Sequence, residues 1–289
     1  MTRLYGFCLG PLPNRSIHGA RSRRSRAGFR PALGFISEFD IMSDMARWIG
    51  AGLARTFARL EERFRWRPFS SGEAARELGF PPARTALLLS RLARAGWLVR
   101  VGRGAYVALD ARWACATEGD PFAPYAGSPF LPVLASSVAG ALQLYGGRLR
   151  ALALFGSCAR GDARPESDVD LLAVVEPLPD RLGDRLAEIE PVAGDGRRLA
   201  AEGSRAGRGF HGPQFVLLTP TELRREPPLL LDLSQEADLL FDPDHVLREA
   251  LGRLREKLSR HGAQRISLGD GLTFWRLHPG ARLGEIREL

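Results

Sequence analysis

Leu154-Phe-Gly-Ser-Cys-Ala-Arg-Gly-Asp-Ala-Arg-Pro-Glu-Ser-Asp-Val-Asp-Leu-Leu-Ala-Val-Val175 decides how the chain is read. An apolar strand, Ala151 to Phe155, ends in Gly156-Ser157, and a polar excursion follows through Glu166. Ser167-Asp168-Val169-Asp170 then opens a second apolar strand, Leu171 to Val175. Side chains two apart in a strand point to the same face, so Asp168 and Asp170 project side by side. Two carboxylates that close repel each other, and a divalent cation between them removes the difficulty. Mg²⁺ suits this spacing, since it takes one or two carboxylates and completes its shell with water and substrate phosphate. Gly156 lets a backbone approach closely, while Ser157 and the amides after it offer donors at a helix start. A surface hairpin with an acidic second strand is the competing reading. Both halves occurring in order favour the phosphate and metal site.

The stretch is similar to the nucleotidyltransferase superfamily that includes DNA polymerase beta and the minimal nucleotidyltransferases. That signature is Gly-Ser, a short helical turn with a further Gly, then Asp-x-Asp on the next strand. Gly156, Ser157, Gly161, Asp168 and Asp170 match it, with Ser167 ahead of the carboxylate pair. The resemblance implies an NTP, ATP among the candidates, bound as its Mg²⁺ complex with one or two ions on Asp168 and Asp170. Its phosphates would lie against Gly156, Ser157, Gly161, Ser167 and Arg160. A hydroxyl attacks the α-phosphate and pyrophosphate leaves. The family places a third carboxylate on the following strand, where this chain has Gln214. Glu222 and Asp232 are the nearest substitutes, and neither falls at the expected position.

A length of 289 residues suggests two domains, and 45% hydrophobic with 26% charged residues allows an ordinary core. No apolar run approaches the roughly 20 residues that span a membrane. Cys8, Cys115 and Cys158 are scattered and fit no disulfide framework or metal cluster, which points to a reducing cytoplasm. Cys158 reads as structural filler. The net charge is +8 and almost all of the positive charge is arginine, Lys257 being the one lysine. A basic chain with a polyanion motif is disposed towards nucleotides or nucleic acid.

Residues 1–41 are Arg-rich and lack a sustained hydrophobic period, and read as disorder, a basic or targeting arm, or a mis-assigned extension. Residues 42–109 form the first domain. A helix over Ser43 to Trp66, N-capped by Ser43 and Asp44, precedes a short helix ending at Gly79. The turn Pro81-Pro82 leads to a helix from Ala83 to Ala95. Trp97 to Val107 alternates around Gly102-Arg103-Gly104, a hairpin. This order resembles a winged helix-turn-helix domain, whose second helix enters the major groove of DNA. It offers Arg84, Thr85, Ser90, Arg91 and Arg94 on the helix, and Arg100 and Arg103 on the wing, to DNA or RNA. Winged helices also dock proteins or dimerise, and that reading stays open.

Residues 110–129 are rich in Pro, Gly and Ala and read as a linker. Residues 130–289 form the second domain. It opens with a helix over Phe130 to Tyr145, and a helix follows the central stretch from Asp180 to Glu190. Pro191 to Gly212 reads as a long loop carrying Arg197, Arg198, Arg205 and Arg208, with His211 as a surface or capping residue. Phe215 to Thr219 is the third strand. Asp244 is expected to cap the helix from His245 to His261, whose leucine stripe is core or a homodimer seam. A last strand covers Leu272 to Leu277, and a polar surface end runs from Leu283 to Leu289.

The fold expected is α+β: a winged helix-turn-helix domain, then a polymerase-beta-like nucleotidyltransferase domain with a mixed β-sheet and flanking helices. Two functions follow. One is a cytoplasmic Mg²⁺-dependent nucleotidyltransferase with a nucleic-acid-binding module and no membrane partner. The other is a DNA-binding regulator or antitoxin-like protein with a weakened nucleotidyltransferase domain, since minimal nucleotidyltransferases occur in toxin–antitoxin pairs.

Overall fold

The computed structural model describes residues 49–116, 120–205, 210–267 and 273–280. The expectations for residues 1–41, for the Ser43–Asp44 cap, for Arg208 and for Leu283 to Leu289 lie outside these. The described chain begins with α1 (Ala51–Phe64), which turns Ala54, Phe57 and Leu60 inward at helical spacing. β1 (Phe69–Ser70) runs into α2 (Ser71–Leu78) through a capping box. Ser70 Oγ accepts from the Glu73 amide at 3.1 Å, and Glu73 accepts from the Ser70 amide at 2.7 Å. Gly79 stops the helix in the left-handed conformation. α3 (Pro82–Arg94) starts with proline in its first turn, and β2 (Leu98–Gly102) and β3 (Ala105–Ala108) form the wing. β1 pairs with β3, giving the order β1-β3-β2. Phe57 and Trp97 meet edge to face at 5.0 Å in the centre of this unit.

Residues 110–129, expected to be a linker, are packed instead. α4 (Ala111–Ala116) and a 3₁₀ turn at Ala123–Tyr125 bury Trp113, Phe122 and Tyr125. The aromatic side chains, rather than the Pro and Gly around them, settle the segment. They join a core that also holds Trp66, Val99 and Val107 of the first part and α5 (Leu131–Tyr145) of the second. The two parts therefore share one continuous core.

β4 (Leu149–Phe155), α6 (Gly156–Arg160) and β5 (Val169–Val175) follow. Next come α7 (Leu182–Arg205), β6 (Pro213–Leu218), α8 (Pro220–Leu223), α9 (Leu229–Glu236) and β7 (Asp238–Phe241). α10 (Val246–Arg260) leads to the hairpin β8 (Gln264–Ser267) and β9 (Thr273–Arg276). The sheet order is β6-β5-β4-β7, with β5 and β6 parallel and the other pairs antiparallel. The alternation of the strands divides the core. Leu152, Leu154 and Leu171 face α5, while Ala153, Leu172 and Val174 face α9 and α10.

α7 replaces the expected loop over residues 191–205. Pro191, Gly194 and Gly196 weaken its helix propensity, but the small residues allow close packing. A Cβ on Gly140 of α5 would lie 2.5 Å from Val192, and one on Gly196 would lie 2.5 Å from Pro213. Arg197 and Arg198 pair on the helix with Glu190 and Asp195 rather than standing in a loop. Asp242, not Asp244, caps α10, accepting from the amides of Leu247 at 3.2 Å and Arg248 at 2.8 Å. Asp244 instead pairs with Arg150 at 2.8 Å.

Candidate functional site

β4 ends beside the start of β5, where Phe155 is paired in register with Asp170. Gly156 turns the chain into α6 at φ 73°, and a Cβ there would fall inside contact distance of the Asp170 carboxylate. Only glycine meets both demands, the positive φ and the close approach. Gly161 ends α6 at φ 78°, and the Asp162 amide donates to Ser157 O at 3.1 Å. Ser167 Oγ accepts from the Arg164 amide at 2.8 Å, folding the excursion back before the carboxylates.

This combination of strand, glycine turn and carboxylate strand coincides with a known domain. Residues 139–202 match the family model described as "Nucleotidyltransferase domain", and residues 58–108 match "Transcriptional regulator, AbiEi antitoxin". Residues 139–202 are a nucleotidyltransferase domain. An AbiEi-like regulator domain precedes it. Two solved structures are similar over part of the chain, each at 14% identity. One is a toxin–antitoxin with AMP-PNP, covering 44% of this chain and 90% of that one at a TM-score of 0.26. The other is a mutant of the toxin–antitoxin MntA–HpeT, covering 42% and 86% at a TM-score of 0.24. No curated protein matches the chain.

Within the nucleotidyltransferase domain, Asp168 and Asp170 stand half-buried on the α9 side of the sheet. Burial first, and the Asp168 charge second, raise the Asp170 carboxyl above its ordinary pKa, against the lowering influence of Arg160. The strain between these two groups is the kind that a divalent cation relieves, and their oxygen donors fit Mg²⁺ or Mn²⁺. Among the described residues no three His, Cys, Asp or Glu side chains already converge as a metal site. Cys158 is buried beneath the turn, its Sγ donating to Asp168 O at 3.3 Å. Burial, with Asp170 next in weight, pushes its thiol up to about 12, so it packs and does not react.

The parallel register pairs Gln214 with Asp170. Gln214, the residue found where a third carboxylate was expected from the resemblance, is exposed on β6. The substitutes are engaged elsewhere. Glu222 receives two hydrogen bonds from Arg185, at 2.8 and 2.9 Å, and Asp232 accepts from Trp275 Nε1 at 3.0 Å. Arg160, expected on the phosphates, is held between Asp162 at 3.2 Å and Glu236 at 3.0 Å.

The sequence suggests a surface or capping role for His211. Its Nδ1 lies 3.8 Å from Asp168 Oδ1. The signal that could have found it is position: it stands just before the strand that pairs in parallel with the Asp-x-Asp strand.

On the regulator domain, Arg84, Ser90, Arg91 and Arg94 are exposed on α3, and Arg100 and Arg103 on the wing. Thr85 departs from the expectation of an exposed contact. It is fully buried, donating from Oγ1 to Pro81 O at 3.2 Å, because its side of α3 faces the domain core. Leu87 takes a place on the open face, 49% exposed between Arg84 and Arg91. Arg84 lies over the Phe80 ring at 4.1 Å.

Proposed function

We propose that this chain is a divalent-cation-dependent nucleotidyltransferase whose regulator domain binds nucleic acid. The observation that carries the reading is the closure of Gly156 onto Asp170, which brings the glycine turn and the carboxylate strand together. Asp168 and Asp170 would hold the cation, and Gly156, Ser157, Gly161 and Ser167 would form the wall against the triphosphate. A bound cation would supply charge neutralisation for the phosphates and lower the pKa of the attacking hydroxyl. The chain's own part is to orient. Asp170, fixed under Gly156, holds one carboxylate in place. The turn would leave the α-phosphate open to an incoming hydroxyl, which gives up its proton to solvent as its oxygen forms the new P–O bond, while the bond to pyrophosphate breaks and pyrophosphate keeps its electron pair. Release of Arg160 Nε from Asp162 would free that edge of the guanidinium for the phosphates, while Glu236 keeps its hold on Nη1.

Calorimetric titration of each NTP with Mg²⁺ into the folded chain tests this reading, beside the Asp168→Ala/Asp170→Ala variant. Metal-dependent binding in the wild type and its loss in the variant is expected. Equal binding by both would sink the proposal.

A second reading is favoured by Gln214, which replaces an expected carboxylate with a neutral amide at the row of Asp170. In it the chain is a DNA-binding regulator or antitoxin-like protein, and its nucleotidyltransferase domain is a nucleotide-responsive partner. The exposed arginines of α3 and the wing support it. Salt-dependent duplex binding with no nucleotidyl transfer to any acceptor is its signature.

A further inference from the structure

The segment ahead of β6 is fixed on both sides of one exposed residue. Phe210 is buried and packs edge to face on Phe130 at 5.5 Å. Gly212 O accepts from the Val169 amide at 2.9 Å, and the His211 amide donates to Ser167 O at 3.2 Å. Gly212 stands at φ 123°, where a Cβ would lie 2.9 Å from Arg197 Cγ, and Pro213 closes on Gly196 of α7. Between these anchors the His211 side chain is 65% exposed, with Nδ1 3.8 Å from Asp168 Oδ1.

We infer that His211 is a metal ligand in this chain, supplying with an imidazole nitrogen what Gln214 does not supply with a carboxylate. The cation site is then Asp168, Asp170 and His211, a mixed oxygen and nitrogen set rather than an all-carboxylate one. Imidazole is a good ligand for transition-metal ions and a poor one for Mg²⁺. The site therefore takes Mn²⁺ or Co²⁺ more tightly than Mg²⁺. This inference rests on the nucleotidyltransferase reading above.

The test uses the full chain with Mn²⁺ and ATP, followed by electron paramagnetic resonance with pulsed detection of nitrogen coupled to the ion. Labelling the protein with ¹⁵N-histidine separates a protein imidazole from the nitrogens of adenine. Bound Mn²⁺ carrying a ¹⁵N coupling that disappears in His211→Ala is the expected result. Loss of outer-shell partners alone costs metal sites about 10–100-fold in affinity, so His211→Ala should weaken Mn²⁺ by at least about tenfold. His211→Asp should keep the affinity while losing the nitrogen signal, which separates ligation from a folding effect. Mn²⁺ bound without histidine coupling, and equally by wild type and His211→Ala, overturns the inference and leaves the nucleotidyltransferase reading standing. No Mn²⁺ bound by the folded wild type in the presence of ATP overturns both.

Discussion

Trp66, in the turn after α1, donates from Nε1 to Asp195 Oδ2 on α7 at 2.9 Å, joining the regulator domain to the nucleotidyltransferase domain through a buried indole. The bond sits on the shared core of Val99, Val107 and α5. Two domains separated by a free linker would unfold independently, whereas these should melt together. Urea unfolding followed by tryptophan fluorescence and by far-ultraviolet circular dichroism should give coincident single transitions. Trp66→Phe removes the donor and part of the buried indole, and should cost at least about 1 kcal/mol. Two resolved transitions in the wild type would overturn the shared-core account.

Gly156→Ala meets two obstacles, a positive φ and the Asp170 carboxylate at the added methyl. Native-state strain of this kind costs on the order of 1–3 kcal/mol. Displacement of Asp170 should also abolish metal-dependent NTP binding. Gly147 is the control, because a Cβ there meets nothing within 4 Å. Gly147→Ala should bind nucleotide as the wild type does, as checked by calorimetry and thermal melting.

Glu61 is placed by burial near Asp110, which also raises its pKa, and the opposing pull of Arg112 leaves it at about 8 against an ordinary 4.5. The folded chain thus holds a proton that the unfolded chain has lost between these values. Stability from this group is full below pH 4.5 and falls as pH rises towards 8, by at most about 1.4 kcal/mol per unit. Glu61→Gln keeps the neutral shape and should flatten that slope, gaining stability over wild type at pH 8. Denaturant midpoints measured from pH 5 to pH 8 check the sign. A wild-type slope unchanged in the variant would assign the effect elsewhere.

The central site was legible because its signals are local. Gly156, Gly161, Asp168 and Asp170 each state a backbone or charge requirement within a few residues, and the strands around them are continuous in Leu, Ala and Val. What escaped was set by distant packing. α7 looked like a loop because Pro191, Gly194 and Gly196 are poor helix formers, yet the same small residues let Val192 meet Gly140 and Pro213 meet Gly196. The segment 110–129 looked like a linker from its Pro and Gly, while Trp113, Phe122 and Tyr125 were holding it in the core. His211 escaped because its neighbour Asp168 lies across a parallel strand pair, and the only sequence signal for it is its position just ahead of the third strand. The register of β5 and β6 adds a relation that the sequence does not express, Gln214 in the row beside Asp170.

Two adjacent residues of the regulator domain face opposite ways. Arg84 is exposed while Thr85 is buried under α3, with its hydroxyl donating to Pro81 O. On the nucleic-acid reading, Arg91→Ala and Arg103→Ala should weaken duplex binding uniformly across sequences. Each removes about one phosphate contact, so the slope of log K against log salt should become shallower by roughly one per substitution. Thr85→Ala should leave that slope unchanged and instead lower thermal stability, by about 1 kcal/mol for the lost hydrogen bond. Fluorescence anisotropy with a labelled duplex from 50 to 200 mM salt, a range over which such contacts differ strongly, reads the first effect, and a melting curve reads the second. If Arg91→Ala and Arg103→Ala bind with the wild-type slope, α3 and the wing do not face the duplex. The exposed stripe through Leu87 is then better explained as a protein-docking face.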